Sequence, residues 1–247
     1  MCEEKNVTYI DLFDAMMDIT TQKISYDGLH LTAKGYKIWC DLIAPYVGIE
    51  CSYPDTFNEN ASSMGGSFGM RSTYWSVEEV TPDDILILGD EMIHGGEWHE
   101  LLKSPNAKDR GTGWGYGGVN LDQWYKNLDA ILRTNPTRKA APKTIALYIG
   151  VVDCENASQS VTASRSAYEK VIRRINTITP DTKLVVLSLM PKNNGNNDAK
   201  IKEFNKMISD LADKYDNAVY ADIYTPLAQN TDKYITQNYL YAAGYAQ

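Results

Sequence analysis

Hydrophobic and polar positions form two alternating patterns from residue 84 onward. Short, nearly continuous apolar runs alternate with longer stretches in which apolar side chains recur every three or four residues, as on one face of a helix. The runs predict strands at 84–88, 144–150, 183–190 and 217–224, and the helical spacing predicts helices near 98–102, 119–132, 164–178 and 198–215. This alternation, with few polar residues in the strands, predicts a parallel sheet covered by helices on both faces.

The first 80 residues have a different pattern. Residues 6–13 alternate apolar and polar positions and predict a short strand. Residues 33–47 carry apolar side chains at helical spacing, with Thr32 as an N-cap and Gly48 at the end, and predict a helix. Ser, Gly, Asn and Pro are frequent after that helix, as is typical of a linker. The predicted organisation is an N-terminal segment at 1–48, a linker at 49–69 and a larger domain at 70–247.

An internal repeat connects the two ends of the chain. The segment at 6–13 resembles the one at 217–224, and the segment at 31–36 resembles the one at 240–245. The offset in the second pair is 209 positions, which is about the length of one α/β domain. We therefore expect residues 1–48 to be the last strand, loop and helix of one domain copy. Residues 70–247 are expected to be a second copy without its final helix.

Composition and charge exclude some classes of binding partner. The chain has 247 residues, of which 43% are hydrophobic, and its formal net charge is −8 with no long basic run. Such a charge argues against nucleic acid and against an anionic membrane surface. No apolar stretch has the length of a bilayer span. The four cysteines show no metal-type spacing and fit buried thiols or at most one bridge, so the compartment stays open.

Two motifs carry candidate chemistry. The apolar run at 84–88 ends in Gly89-Asp90-Glu91, at the carboxyl end of a strand, where open α/β sheets place ligands and catalytic groups. The second motif is Asp27-Gly28-Leu29-His30, in which an aspartate precedes a histidine by three residues. A serine hydrolase needs an imidazole to accept the hydroxyl proton and a carboxylate to orient that imidazole. Asp27 and His30 are therefore candidate catalytic residues.

Both motifs resemble the blocks of the SGNH (GDSL) hydrolases, and Gly95-Gly96-Glu97-Trp98 resembles the sequence that follows the first block in acetylhydrolase-type members. The resemblance covers residues 6–48 and about 70–247. It implies a three-layer α/β/α sandwich with a flavodoxin-like parallel sheet of five strands. It also implies an ester hydrolase that needs no cofactor and no metal, with an acylated carbohydrate or a small ester as its ligand.

The sequence departs from the family at the positions that carry its chemistry. Glu91 stands where the family has its serine nucleophile, and Val152 stands where it has an oxyanion-binding asparagine. In the second copy, aligning Gly244 with Gly35 places Thr236 at the Asp27 position and Tyr239 at the His30 position. These losses predict a catalytically impaired copy, a pseudoenzyme.

One predicted oxyanion donor is kept. Gly111 lies in 109–113, which is rich in glycine and predicts a tight turn at the place of the family's second block. Its backbone N–H can serve as a donor because that role needs no side chain.

Other functions stay open on the sequence alone. The chain is an active carbohydrate acetylesterase if Asp27 and His30 complete a site by docking or within a longer tandem protein. Glu91 as a nucleophile would require a second carboxylate at a suitable distance. A metal site at Glu91, His94, Glu97 and His99 is the less favoured interpretation, because Gly96 and Trp98 match the ordinary helix start of the family. The Gly-x-Ser-x-Gly pattern at 65–69 follows a polar stretch and not a strand, so it is assigned to the linker.

The apolar helix at 33–47 is expected to dock somewhere. One hypothesis places it in the groove left by the missing final helix of 70–247, which would make the chain a circular permutant. The other places it in the groove of a neighbouring chain and gives a swapped homodimer.

Overall fold

A computed structural model describes residues 3–17, 24–25, 31–53, 71, 75, 80–112, 119–132, 141–236 and 240–247. The chain forms two compact units, Met1–Gly66 (unit 1) and Ser67–Gln247 (unit 2). The pattern at 65–69 and most of the predicted linker lie outside the described residues, so the predicted boundaries at 49 and 69 stay predictions.

Unit 2 is built on a sheet of five parallel strands, β1 to β5, in the spatial order β2-β1-β3-β4-β5. The strands are β1 Ile85–Gly89, β2 Ala107–Gly111, β3 Thr144–Tyr148, β4 Lys183–Leu187 and β5 Ala218–Ala221. β1 and β3 pair in the sheet centre with Ile85 opposite Thr144 and Gly89 opposite Tyr148. The predicted three-layer, flavodoxin-like α/β fold is confirmed.

Helices cover the sheet and close the core. Unit 1 contains α1 Leu12–Met16 and α2 Ala33–Val47; unit 2 contains α3 Glu91–His94, α4 Trp98–Leu101, α5 Leu121–Leu132, α6 Val151–Glu155, α7 Val161–Ile178, α8 Asp198–Ala212, α9 Tyr224–Ala228, α10 Thr231–Tyr234 and α11 Ala242–Tyr245. Trp75, Trp124, Tyr168 and Phe204 are among the largest side chains of the core and are fully buried. Each is worth roughly 1.5–3 kcal/mol or more of transfer free energy. This rigid base holds the turns at the carboxyl ends of β1, β2 and β3.

Helix α2 has the bounds that the sequence predicts. The Thr32 hydroxyl accepts a hydrogen bond from the Gly35 amide at 3.4 Å, and Gly48 ends the helix with a φ of 74°. A positive φ of this kind is favourable for glycine because it has no Cβ. Among the described residues, no helix is long and apolar enough to cross a bilayer.

Two predicted elements are wrong. In the predicted strand at 6–13, Asn6 lies in a turn with a φ of 53° and residues 7–11 pair with no described strand. Helix α1 begins at Leu12 because Asp11 accepts hydrogen bonds from the Phe13 and Asp14 amides. The predicted turn at 109–113 is instead the end of β2. Among the described strands, β2 pairs with β1 alone and lies at the edge of the sheet. An edge strand tolerates polar residues such as Lys108 and Asp109, which hide the strand in the sequence.

Candidate functional site

Glu91 begins α3 immediately beyond the carboxyl end of β1. The turn before it is too tight for a side chain, since a Cβ on Gly89 would lie 2.2 Å from Ile93 Cγ1 and 2.6 Å from the Tyr148 carbonyl oxygen. Asp90 caps the helix by accepting a hydrogen bond from the Met92 amide at 3.1 Å. Glu91 is therefore held at the sheet edge with a partly exposed side chain, at the position the sequence indicates.

Asp90 titrates near neutral pH. Desolvation, the largest cause, and the negative charges of Glu91 and Glu155 together raise its pKa to about 7, against the opposing effect of the hydrogen bond from the Met92 amide. A carboxyl group with this pKa is half protonated at pH 7. It is consequently able to donate or accept a proton at the turn.

The amide of Gly111 already has a partner. Its N–H donates to Asp109 Oδ1, within the strand end that carries both residues. Asp109 Oδ2 accepts from Arg71 at 2.7 Å and lies 3.0 Å from His94 Nδ1. Arg71 also donates through Nε to the Gly111 carbonyl at 3.1 Å. The predicted oxyanion donor is thus tied to a carboxylate that an arginine and a histidine hold in place.

This cluster of Arg71, His94 and Asp109 is a part of the site that the sequence does not reveal. Arg71 lies next to the predicted linker, and the sequence around His94 suggests at most a metal ligand. The three residues are far apart in sequence, so no local motif marks them. His94 can approach β2 because residue 111 is a glycine. A Cβ at that position would lie 2.3 Å from the backbone nitrogen of His94.

The third turn follows β3. Gly150 adopts a φ of 98° and leads into α6, which begins with Val151 and Val152. Val152 has an aliphatic side chain, which has no polar hydrogen to donate to a substrate oxygen. Asp153 beside it accepts from the Leu121 amide at 2.9 Å and from Gln159 Nε2 at 3.1 Å. Asp153 therefore anchors the start of α5 to this turn.

Tyr245 closes the other side of α3. Its hydroxyl donates to the Met92 carbonyl at 2.9 Å, and its ring packs edge-on against Trp98 with centroids 5.9 Å apart. Trp98 in turn donates from Nε1 to the Ile93 carbonyl at 2.6 Å. The tail of unit 2 thus satisfies backbone carbonyls of the helix that carries Glu91.

Asp27, His30 and Tyr239 lie outside the described residues, but the bridges that close their loops are described. Ser25 pairs with Leu31 in unit 1, and Ile235 pairs with Leu240 in unit 2. Five residues separate the first pair and four separate the second, so the loop of unit 2 is one residue shorter. Aligning Gly244 with Gly35 places Thr236 opposite Asp27. Aligning the loops from their first bridge residues, Ser25 and Ile235, does not, because the loop of unit 2 is one residue shorter.

Among the described residues, no group of three or more His, Cys, Asp or Glu side chains is arranged to hold a metal ion. His94 directs Nδ1 toward Asp109, and His99 is more than half exposed on α4.

Comparison with known proteins identifies related chains. The sequence model of the GDSL-like lipase/acylhydrolase family matches residues 87–247. Platelet-activating factor acetylhydrolase IB subunit alpha2 from Rattus norvegicus is 24% identical over 142 residues, which are 57% of this chain and 59% of that protein. The match thus spans about three fifths of the length of this relative.

Solved structures share the fold. A Streptococcus pneumonia protein, described as a candidate platelet activating factor, superposes with a TM-score of 0.62 at 22% identity, covering 72% of this chain and 87% of that one. A Clostridium thermocellum family 3 carbohydrate esterase superposes with a TM-score of 0.53 at 18% identity, covering 66% of this chain and 90% of that one. At these identities the likeness establishes the α/β architecture of unit 2.

Proposed function

Because this chain belongs to the GDSL-like lipase/acylhydrolase family, we propose that unit 2 binds an acylated carbohydrate or a small acyl ester but hydrolyses it poorly or not at all. The family includes esterases and acetylhydrolases. The proposed site lies at the carboxyl ends of β1, β2 and β3, around Glu91, Gly111 and Val152.

The observation that carries this proposal is the hydrogen bond from the Gly111 amide to Asp109 Oδ1. Acyl transfer requires donors aimed at the oxygen that becomes negative in the transition state, and one such donor is worth about 10²–10³ in rate. An amide that already donates to a carboxylate is not free for a substrate oxygen. The carboxylate itself also disfavours negative charge close by.

The neighbouring positions support the same conclusion. Glu91 offers a carboxyl group where the family has a serine hydroxyl, so an acyl-serine cannot form there. Val152 offers no polar hydrogen at the expected asparagine position. With nucleophile and donors replaced, only weak residual catalysis from binding is expected.

The ligand class follows from the relatives. One is a platelet-activating factor acetylhydrolase subunit and another is a carbohydrate esterase, and an acyl ester is the group that both names share. Acetylated xylo-oligosaccharide is a suitable probe for the carbohydrate class.

Two measurements on the intact chain test the proposal. Hydrolysis of p-nitrophenyl acetate is compared between the chain and its His30→Ala variant, and binding of acetylated and deacetylated xylo-oligosaccharide is followed by NMR chemical shifts of residues 89–94. We expect hydrolysis at background in both chains and shifts only with the acetylated sugar.

The opposite result would favour the active-esterase alternative. Turnover near the usual enzyme value of about 10 s⁻¹, abolished by His30→Ala, would mean that Asp27 and His30 complete a working site. Absence of both turnover and binding would remove the acyl ester as the ligand.

A further inference from the structure

The repeat that the sequence indicates has a three-dimensional counterpart. In unit 1, Asp11 accepts from the Asp14 amide at 3.3 Å as the chain enters α1. In unit 2, Asp222 accepts from the Thr225 amide at 3.0 Å as the chain enters α9. Each aspartate therefore binds the amide three residues later at the start of a short helix.

The two loops that follow close in the same way. The Thr32 amide donates to the Ile24 carbonyl at 2.8 Å, and the Tyr241 amide donates to the Tyr234 carbonyl at 2.9 Å. A glycine sits three residues beyond each of these amides. A Cβ on Gly35 or Gly244 would lie 2.5 Å from the carbonyl oxygen of residue 24 or residue 234, respectively. We call residues 6–36 and 217–245 the two tail modules.

The tail module of unit 2 is packed against its own core. β5 pairs in parallel with β4, with Leu184 opposite Ala218 and Leu187 opposite Ala221. The side chains that pack on the core are partly buried: Ala218, Tyr220, Tyr224 and Tyr245. The module thus supplies the edge strand of the sheet and the tyrosine that contacts α3.

The same positions in unit 1 are exposed. The repeat has an offset of 211 positions for the strand and 209 for the helix. It therefore assigns these counterparts of the four unit 2 residues: Val7, Tyr9, Phe13 and Tyr36. Their exposed fractions are 59%, 66%, 71% and 48%. A set of apolar side chains that packs on a core in one module and is exposed in its counterpart indicates an interface without its partner.

We propose that the tail module of unit 1 docks on the open sheet edge of a separate GDSL-family α/β core. Residues 6–11 pair as a parallel edge strand with the fourth strand of that core, which is a case of β-strand addition. Tyr36 takes the place that Tyr245 has against α3. The occupant is a core without its own fifth strand, because in unit 2 these places are taken by β5 and Tyr245. The proposal is independent of the ligand and activity of unit 2.

The test is a fusion that keeps this chain intact. The core of the Streptococcus pneumonia protein, the structural relative with a TM-score of 0.62, is cut after its fourth strand and joined to the start of the 247-residue chain. Amide hydrogen exchange of residues 7–11 is measured in the fusion and in the chain alone. Strand pairing is expected to slow exchange at these amides by at least about tenfold, since opening then requires loss of the interface.

Two neighbouring positions give a matched pair of variants. Tyr9 corresponds to Tyr220, which packs on the core, whereas Thr8 corresponds to Val219, which is 43% exposed. Tyr9→Asp is expected to return the exchange of residues 7–11 in the fusion to that of the chain alone, and Thr8→Asp is expected to leave the protection in place.

The proposal is overturned if residues 7–11 exchange equally fast in the fusion and in the chain alone, whether or not the grafted core folds. It is also overturned if Thr8→Asp removes protection as fully as Tyr9→Asp, because the apolar face would then not be the contact.

Discussion

Asp90 couples the protonation of the candidate site to the stability of unit 2. Its pKa is about 7 in the folded chain against an ordinary value of 3.8. Between these pH values the folded state holds a proton that the unfolded state has lost, so the free energy of unfolding falls as pH rises from about 4 to about 7. By linkage this contribution is at most roughly 4 kcal/mol.

Replacing Asp90 by Asn is expected to remove this pH dependence. The amide oxygen of Asn can still accept from the Met92 N–H, but it carries no charge. Asp90→Asn should therefore resist urea better than the parent chain at pH 8 and by a clearly smaller margin at pH 5, where only part of the stability has been lost. Urea unfolding followed by circular dichroism measures both. Glu97→Gln, at an exposed carboxyl before α4, is the control and should leave the pH profile unchanged.

Glu91→Ser restores a hydroxyl at the turn but should not restore hydrolysis. Tyr239 and Thr236 cannot act as base and orienting acid, and the Gly111 amide stays bonded to Asp109. We expect hydrolysis of p-nitrophenyl acetate to remain at background in this variant. A clear gain that His30→Ala then removes would contradict this and would show that Asp27 and His30 reach the turn.

The sequence places the backbone of the candidate site better than its contacts. Glu91 and Val152 are found because each follows a buried strand, and the ends of parallel strands meet at one edge of a sheet. The bond between Asp109 and Gly111 depends on a side chain folding back on its own strand, and the pKa of Asp90 depends on burial. Neither leaves a periodic signal, so neither could be predicted.

At the scale of single elements, the two tail modules depend on a close approach of helix to backbone. A Cβ on Gly244 would lie 2.5 Å from the Tyr234 carbonyl oxygen and 2.8 Å from Leu240 Cδ2. If the helix moved away to relieve this clash, the hydrogen bond from the Tyr241 amide to the same carbonyl would break. Gly244→Ala should therefore destabilise the tail of unit 2 by about 1–3 kcal/mol, the usual cost of overpacking.

Hydrogen exchange of the Tyr241 amide measures this effect directly. Ala243→Ser, at an exposed neighbouring position, is the control and should leave that amide protected. Equal exchange in the two variants would mean that the glycine is not required. Gly35→Ala should have the same effect on the Thr32 amide of unit 1.

The sequence predicts the strands that are mostly apolar, including the edge strand β5, and misses the edge strand β2, which carries polar residues. β1, β3 and β4 are apolar on both faces and were predicted within a few residues. β2 lies at the edge and carries polar residues, and its sequence predicts a turn instead of a strand. Residues 6–11 have the alternating pattern of β5 but pair with no described strand. A strand needs a neighbour to bond to, and the local sequence pattern does not show whether one is present.

At the scale of the whole molecule, unit 2 makes its own edge and tail contacts. β5 pairs with β4, and Tyr245 bonds to Met92 and packs on Trp98, all within residues 67–247. Removing residues 1–66 is therefore expected to change the melting temperature of unit 2 by less than about 2 °C, as a loss of 1 kcal/mol lowers it by roughly 2–4 °C in a domain of this size. Differential scanning calorimetry of the truncated and intact chains measures the change.

A fall of several degrees would contradict the expectation and favour docking of the helix at 33–47 on unit 2. If the melting temperature of the intact chain also rises with its concentration as dimers form, which light scattering would detect, the docking is exchanged between two chains.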